Sequence, residues 1–166
     1  MVFIYTRISW CDILGGMENR FVVAFDRTVV TWARWAAGPA ERIALFIVFF
    51  WFGFLKLIDT SPANPLVADL LERTLPFWSF ESFVVFLGMW EMFIGIAFLL
   101  EGGERFAIAL LVPHMVTTIM PLILLPGVAW QSFLVPTLEG QYIIKNMVIV
   151  ALALSIAARL KPFQSR

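Results

Sequence analysis

Long apolar runs separated by short polar or proline-rich breaks set the pattern of this chain. Between Ile43 and Ile58 only Lys56 is charged, and between Ser82 and Leu100 only Glu91 is. Arg105 opens a third run that reaches Leu125 and holds His114, and a fourth covers Gln141 to Ala158 with Lys145 near its start. A helix needs about 20 residues to cross the hydrocarbon of a bilayer, so Arg42–Ile58, Ser82–Leu100, Arg105–Leu125 and Gln141–Ala158 predict four transmembrane helices.

The connections differ in kind. Pro62, Pro65 and Pro76 punctuate a long first connection in which Leu66, Val67, Leu70 and Leu71 recur at helical spacing. This predicts a short surface helix, with Phe77, Trp78 and Phe80 as an aromatic anchor behind it. Glu101, Gly102, Gly103 and Glu104 make a tight return, and Pro126, Gly127, Trp130 and Pro136 mark a loop before the last run. Pro113 and Pro121 inside the third run free carbonyls that neighbouring groups must satisfy.

Ahead of the first span, Phe21, Phe25, Val29, Trp32 and Trp35 fall three or four apart, with Arg20, Asp26, Arg27 and Arg34 between them. That spacing predicts an amphipathic helix over 18–38, lying in the headgroup plane or packed on a partner, and ended by Gly38 and Pro39. Residues 1–16 lack the apolar core and cleavage site of a secretory signal and are expected to be a leader, with Met1 or Met17 as the start. The expected fold is all-α: a leader and interfacial helix over 1–38, then an integral membrane four-helix bundle over 39–166.

Composition agrees with a lipid solvent, because 61% of the 166 residues are hydrophobic, only 14% are charged, and the mean hydropathy is +0.88. Four spans nearly exhaust the length, which leaves no separate soluble domain. Twelve basic and twelve acidic residues cancel, so no net field for nucleic acid exists. A single cysteine, Cys11, excludes an internal disulfide and CxxC chemistry, so any redox role must borrow its carrier. Arg20, Arg27, Arg34, Arg42, Arg105, Arg159, Lys161 and Arg166 fall on one side of the predicted spans, which places both termini in the cytoplasm.

Glu91 is the most informative position. A carboxylate at mid-bilayer costs about 2.5–3.5 kcal/mol even on the mildest insertion scale, so it must face protein or water. Gly88 and Gly95 share its helix face and would let another backbone approach and enclose it. Lys56 and Lys145 are its natural partners, Lys145 lying about 10 Å shallower at 1.5 Å rise per residue. Each lysine has an alternative in snorkelling to the headgroups, and Gln141, Tyr142 and Asn146 add polarity beside Lys145. His114 falls near the depth of Glu91 and has three readings: a haem ligand, a proton relay to a quinone, or a neutral core histidine. A lone histidine without CxxCH disfavours haem, and no metal-ligand spacing is present.

Together these residues predict a polar pocket built from Glu91, Lys56, Lys145 and His114 and walled by Trp51, Phe52 and Trp90. Donors, an exchangeable acid and aromatic walls suit a quinone head group, while a purely structural ion pair uses the same residues.

The stretches RIALFIVFFWFGFLK over 42–56 and GMWEMFIGIAFLL around Glu91 resemble the first two spans of the DoxX-like superfamily. EGQYIIKNMVIV, with Gly140, Lys145 and Asn146, resembles the last span of its YkgB/RclC-like branch. The resemblance covers about Arg42 to Ala158. It implies a four-helix protein of the bacterial inner membrane, in a group with links to quinone oxidoreduction and to oxidative stress, and no established catalytic residue. Three functions follow as expectations: a quinone-binding subunit of an oxidoreductase, a non-catalytic accessory subunit docked on a larger respiratory or photosynthetic complex, and a small-solute transporter. The last ranks lowest, because no inverted repeat or broken helix pair is visible.

Overall fold

The computed structural model of the protein describes residues 20–162, and these are mostly helical. The expected leader, Cys11, the alternative starts at Met1 and Met17, and Arg166 lie outside the described residues. Helix α1 runs Arg20–Leu57, through Gly38 and Pro39 rather than ending at them. Pro39 lies in the interior of this helix, where it removes one backbone donor and crowds the carbonyl one turn before it. It therefore marks a boundary instead of a stop: the chain divides into two compact units, 1–38 and 39–166. Helical residues of the first unit expose Phe25, Val29, Trp32 and Trp35. Thr28 and Thr31 donate back to the carbonyls of Ala24 and Arg27 at 2.9 and 2.7 Å, which satisfies both hydroxyls within the helix.

In the second unit α1 is followed by α2 (Asn64–Thr74), α3 (Phe80–Leu99), α4 (Glu104–Ile119), α5 (Pro121–Leu124), α6 (Pro126–Ala129), a small hairpin of β1 (Trp130–Ser132) and β2 (Val135–Pro136), α7 (Leu138–Lys145) and α8 (Met147–Ala158). Phe80–Leu99, Glu104–Leu124 and Leu138–Ala158 are three helices long and apolar enough to cross a membrane. Within α1 the apolar run from Ile43 to Leu55 is bounded by Arg42 and Lys56, so it falls short of that length on its own. The outer faces of the three long helices expose Phe93, Val112, Ile123, Val148 and Leu154, apolar surface of the kind that acyl chains cover.

Two of the long helices carry breaks, of which only the one at Pro121 is marked in the sequence. Met120 separates α4 from α5, which Pro121 opens, and at Asn146 the backbone N–H turns to Ile143 O at 3.1 Å, three residues back, which tightens the junction of α7 and α8. The expected loop before the last span is also more ordered than a coil. Pro126 cannot donate to the carbonyl of Leu122, and the Trp130 indole N–H takes that place at 2.9 Å. Thr137 then accepts from Gly140 N at 3.0 Å as the N-cap of α7 while its hydroxyl donates to Val128 O at 2.6 Å, clamping the hairpin to α6.

The core draws Leu45 and Phe49 from α1, Ile94, Ala97 and Phe98 from α3, Ala107, Leu111 and Met115 from α4, and Ala153 and Ile156 from α8. Helices α1 and α3 meet backbone to backbone. A Cβ added to Gly53 would lie 2.5 Å from the Gly88 carbonyl oxygen, and one added to Gly88 would lie 2.8 Å from that of Gly53. Only glycine on both sides permits this approach. At one end of the bundle Arg42 pairs with Glu104, and Arg159 pairs with Glu41, which also accepts from the Ser155 hydroxyl at 3.0 Å.

Gly53→Ala is expected to lower stability by about 1–3 kcal/mol through overpacking, read as an earlier unfolding midpoint of the detergent-solubilised protein. An unmoved midpoint would mean that α1 and α3 do not touch there. A second expectation concerns acid. Hydrogen bonding from Arg159, reinforced by Ser155, holds the Glu41 carboxyl below its ordinary value of 4.5 against the opposing effect of burial. Because the folded-state pKa is the lower one, the pair stabilises fully above about pH 4.5 and the contribution is lost as pH falls through the lowered value. Glu41→Gln should therefore cost about 0.2–1 kcal/mol at pH 7 and flatten the acid side of a stability-versus-pH curve; an unaltered acid limb would contradict this.

Candidate functional site

Lys56 occupies the last turn of α1, and the chain closes the helix immediately beyond it. Asp59 takes a left-handed conformation (φ 53°), Thr60 N donates to Leu55 O at 3.0 Å and Asp59 N to Lys56 O at 3.3 Å. This is a Schellman closure, formed with aspartate, one of the few side chains that visits the left-handed region at low cost. Asn64 Nδ2 holds the Asp59 carboxylate at 2.8 Å, so the turn is fixed from both sides. Lys56 thereby points its ammonium inward from a rigid helix end, where the helix dipole also favours a cation.

Opposite it, Glu91 sits midway along α3 on the face that carries Gly88 and Gly95. The close glycine contact brings the Lys56 backbone alongside Gly88, with Lys56 Cβ 3.1 Å from where a Gly88 Cβ would stand. Lys56 Nζ then donates to Glu91 Oε2 at 2.7 Å, and the two side chains are only 5% and 9% exposed. The other carboxylate oxygen, Oε1, lies 3.5 Å from His114 Nε2, whose side chain is 4% exposed. His114 follows Pro113 inside α4 and meets the Phe49 ring edge-on at 5.6 Å between centroids. Three helices thus each contribute one polar side chain to a single buried cluster.

The carboxylate bridges two different neighbours with its two oxygens. Facing Glu91, the imidazole is best served by a proton on Nε2, which leaves Nδ1 with a lone pair. Nδ1 is buried and has no hydrogen-bond partner among the described residues. The cluster therefore has one satisfied ion pair and one open acceptor, arranged along the line Lys56, Glu91, His114.

The remaining expected members lie elsewhere. Lys145 is exposed at the end of α7, its Nζ 5.4 Å from the Tyr142 ring centroid, and it forms no ion pair among the described residues. A long stem reaches an aromatic face and solvent at lower cost than it reaches a carboxylate already neutralised by Lys56. Trp51 is 62% exposed and Phe52 is also exposed, so neither walls the cluster; both present bulk on the outer face. Trp90, next in sequence to Glu91, turns toward α4 and donates Nε1–H to Leu110 O at 3.1 Å, with its ring edge-on to Phe86. It fastens α3 to α4 beside the carbonyl that Pro113 frees. Clefts of about 320 and 430 Å³ lie at other places, against Arg105 and Lys161 in one case and Asp69 and Arg73 in the other.

No family model, curated protein or solved structure matches this chain. The site therefore stands on its own geometry. Among the described residues no group of three or more His, Cys, Asp or Glu side chains is gathered as a metal site requires.

The polar pairs at the end of the bundle were not among the expected site residues, although a signal for them existed. Arg42 opens the first apolar run and Glu104 immediately precedes Arg105, which opens the third, and the antiparallel order of these helices brings both to one end. Lys56→Met is expected to destabilise by about 3–5 kcal/mol because it strands a buried carboxylate, whereas Lys56→Met combined with Glu91→Leu should recover most of that loss. A double-mutant cycle in detergent measures it, and additive losses would dissolve the pair as a unit.

Proposed function

We propose that this chain is a DoxX-like membrane protein of four spans that serves quinone-linked oxidoreduction as a membrane subunit, with the Glu91, Lys56 and His114 cluster as its proton-exchanging centre. Besides the three long apolar helices, the first stretch, from Arg42 to Ile58, is the remaining span, and its limiting charges are neutralised within the protein by Glu104 and Glu91. The distribution of arginine and lysine orients both termini toward the cytoplasm of a bacterial inner membrane.

One observation carries this reading: a buried histidine whose Nδ1 has no partner among the described residues stands beside a carboxylate that is itself held by a lysine. A purely structural ion pair needs no third, half-satisfied member, since an unpaired buried polar atom costs free energy. His114 Nδ1 accepts a hydrogen bond, and a quinol hydroxyl is a donor of matching chemistry. A bound quinone supplies two-electron, two-proton exchange with the lipid phase. His114 takes up the proton at Nδ1, and the imidazolium so formed faces, through Nε2–H, the Glu91 carboxylate that Lys56 keeps charged and fixed. Apolar packing by Phe49, Leu111 and Met115 excludes water from the line.

A second reading is favoured by a separate feature. The first unit exposes Phe25, Val29, Trp32 and Trp35 on a stripe flanked by arginines, a surface suited to the headgroup layer or to another membrane subunit. An accessory role on a larger complex would use that stripe and leave the cluster structural.

Lipid extracts of the purified protein decide between them. Quinone should co-purify in near-equal amount with the native chain and fall about tenfold in His114→Phe, one lost hydrogen bond of about 1.4 kcal/mol being enough for such a change. Absence of quinone from the native protein, together with co-purification of a large complex, would favour the accessory role.

A further inference from the structure

The hairpin between the apolar helices Glu104–Leu124 and Leu138–Ala158 ends in two large apolar side chains. Trp130 pairs with Pro136 and Ser132 with Val135, with Gln131 as an extra residue between them, so Phe133 and Leu134 form the tip. Phe133 is 91% exposed and Leu134 72%. Leu134 is also left-handed (φ 58°), a conformation in which a tight turn in water ordinarily carries glycine or asparagine. The sequence accepts backbone strain and displays apolar surface at the one place where a small polar residue would avoid both.

Both long helices fix the base of this hairpin at their ends. Trp130 Nε1 donates at 2.9 Å to the carbonyl of Leu122, which lies inside the first of them, and Thr137 N donates to Ala129 O at 3.0 Å. Gly140, inside the second, packs so closely that an added Cβ would lie 2.1 Å from the Ala129 carbonyl oxygen. Leu134 is four residues from Leu138, a reach of at most about 14 Å. The headgroup layer that flanks the hydrocarbon is itself about 5–8 Å thick, so the tip cannot extend far into water.

Charge separates this connection from the others. No Asp, Glu, Lys or Arg occurs from Phe106 to Leu138, whereas Asp59, Asp69, Glu72 and Arg73 stand between α1 and α3, and Glu101 between α3 and α4. The Thr137 hydroxyl and the Trp130 indole turn their donors inward, to Val128 O and Leu122 O. Gln131 and Ser132 are exposed but uncharged, as a headgroup layer accepts. A segment that gives up charge and satisfies its donors internally suits lipid better than water.

We propose that the hairpin is an interfacial anchor, with Phe133 and Leu134 inserted among lipids at the boundary between headgroups and acyl chains. The occupant is the bilayer, and a zwitterionic lipid suffices, because the segment offers no charge to an anionic headgroup or to a charged protein. Burial of both side chains there offsets the strain at Leu134, and the fixed base lets the inserted tip set the depth of α5, α6 and α7. This role is independent of the Glu91 cluster.

The test uses the full chain with Cys11→Ser and one added cysteine, spin-labelled and reconstituted in phosphatidylcholine vesicles. Collision rates with oxygen, which concentrates among acyl chains, and with a neutral nickel chelate, which stays in water, give an oxygen-to-nickel ratio. Ser132→Cys keeps both tip side chains and should give a ratio several-fold above that of Glu101→Cys in the α3–α4 return, shifted toward that of Phe93→Cys on the exposed face of α3. Adding Phe133→Ser and Leu134→Gly should return the Ser132→Cys ratio to the Glu101→Cys value. A ratio at Ser132→Cys equal to that at Glu101→Cys, or one that the two tip substitutions leave unchanged, overturns the proposal. Shielding of the Ser132→Cys label from both reagents also overturns it and assigns the tip to a second copy of the chain.

Discussion

A carboxylate and an ammonium held 2.7 Å apart inside an apolar helical unit are the constraint from which the rest of this architecture follows. Neither ion alone is tolerable there, since removal from water costs several kcal/mol per charge. Their pairing demands that α1 and α3 approach closely at one register, and Gly53 against Gly88 is how the sequence permits it. The ion pair and the glycine contact are thus one device. Small residues bring the backbones together, and the charges make any other register expensive.

Around that device each helix end is tied by its own chemistry. A left-handed Asp59 and its Asn64 partner hold Lys56 in place, while Arg42 with Glu104 and Arg159 with Glu41 fasten the opposite end of the same helices. Indole donors stand near two of the prolines in the apolar segments. The indole of Trp130 serves the carbonyl that Pro126 leaves, and that of Trp90 reaches Leu110 near the one that Pro113 frees. In a medium with no water, such substitutions of side-chain donors for backbone donors are what allow a broken helix to persist.

His114 is the member that ion pairing does not explain. Its Nε2 faces the Glu91 carboxylate while its Nδ1 stays buried without a partner among the described residues. Placed by α4 rather than by either helix of the ion pair, it adds a proton-accepting atom to an otherwise neutralised centre. The proposed function rests on that asymmetry.

The sequence by itself determined that apolar helices dominate, that Glu91 must be enclosed, and that Gly88 and Gly95 would let a neighbour enclose it, because hydropathy, desolvation and side-chain size act at the level of single residues. It placed the surface helix near Leu66–Leu71 for the same reason. Helix α1 passing through Pro39, the hairpin before α7, and the exposure of Lys145, Trp51 and Phe52 were legible only in the tertiary structure. Those outcomes turn on which of several compatible partners is nearer. Lys56 and Lys145 are equivalent as charges, and only the approach of α1 to α3 decides that Lys56 reaches Glu91 first and leaves Lys145 to a tyrosine ring and solvent.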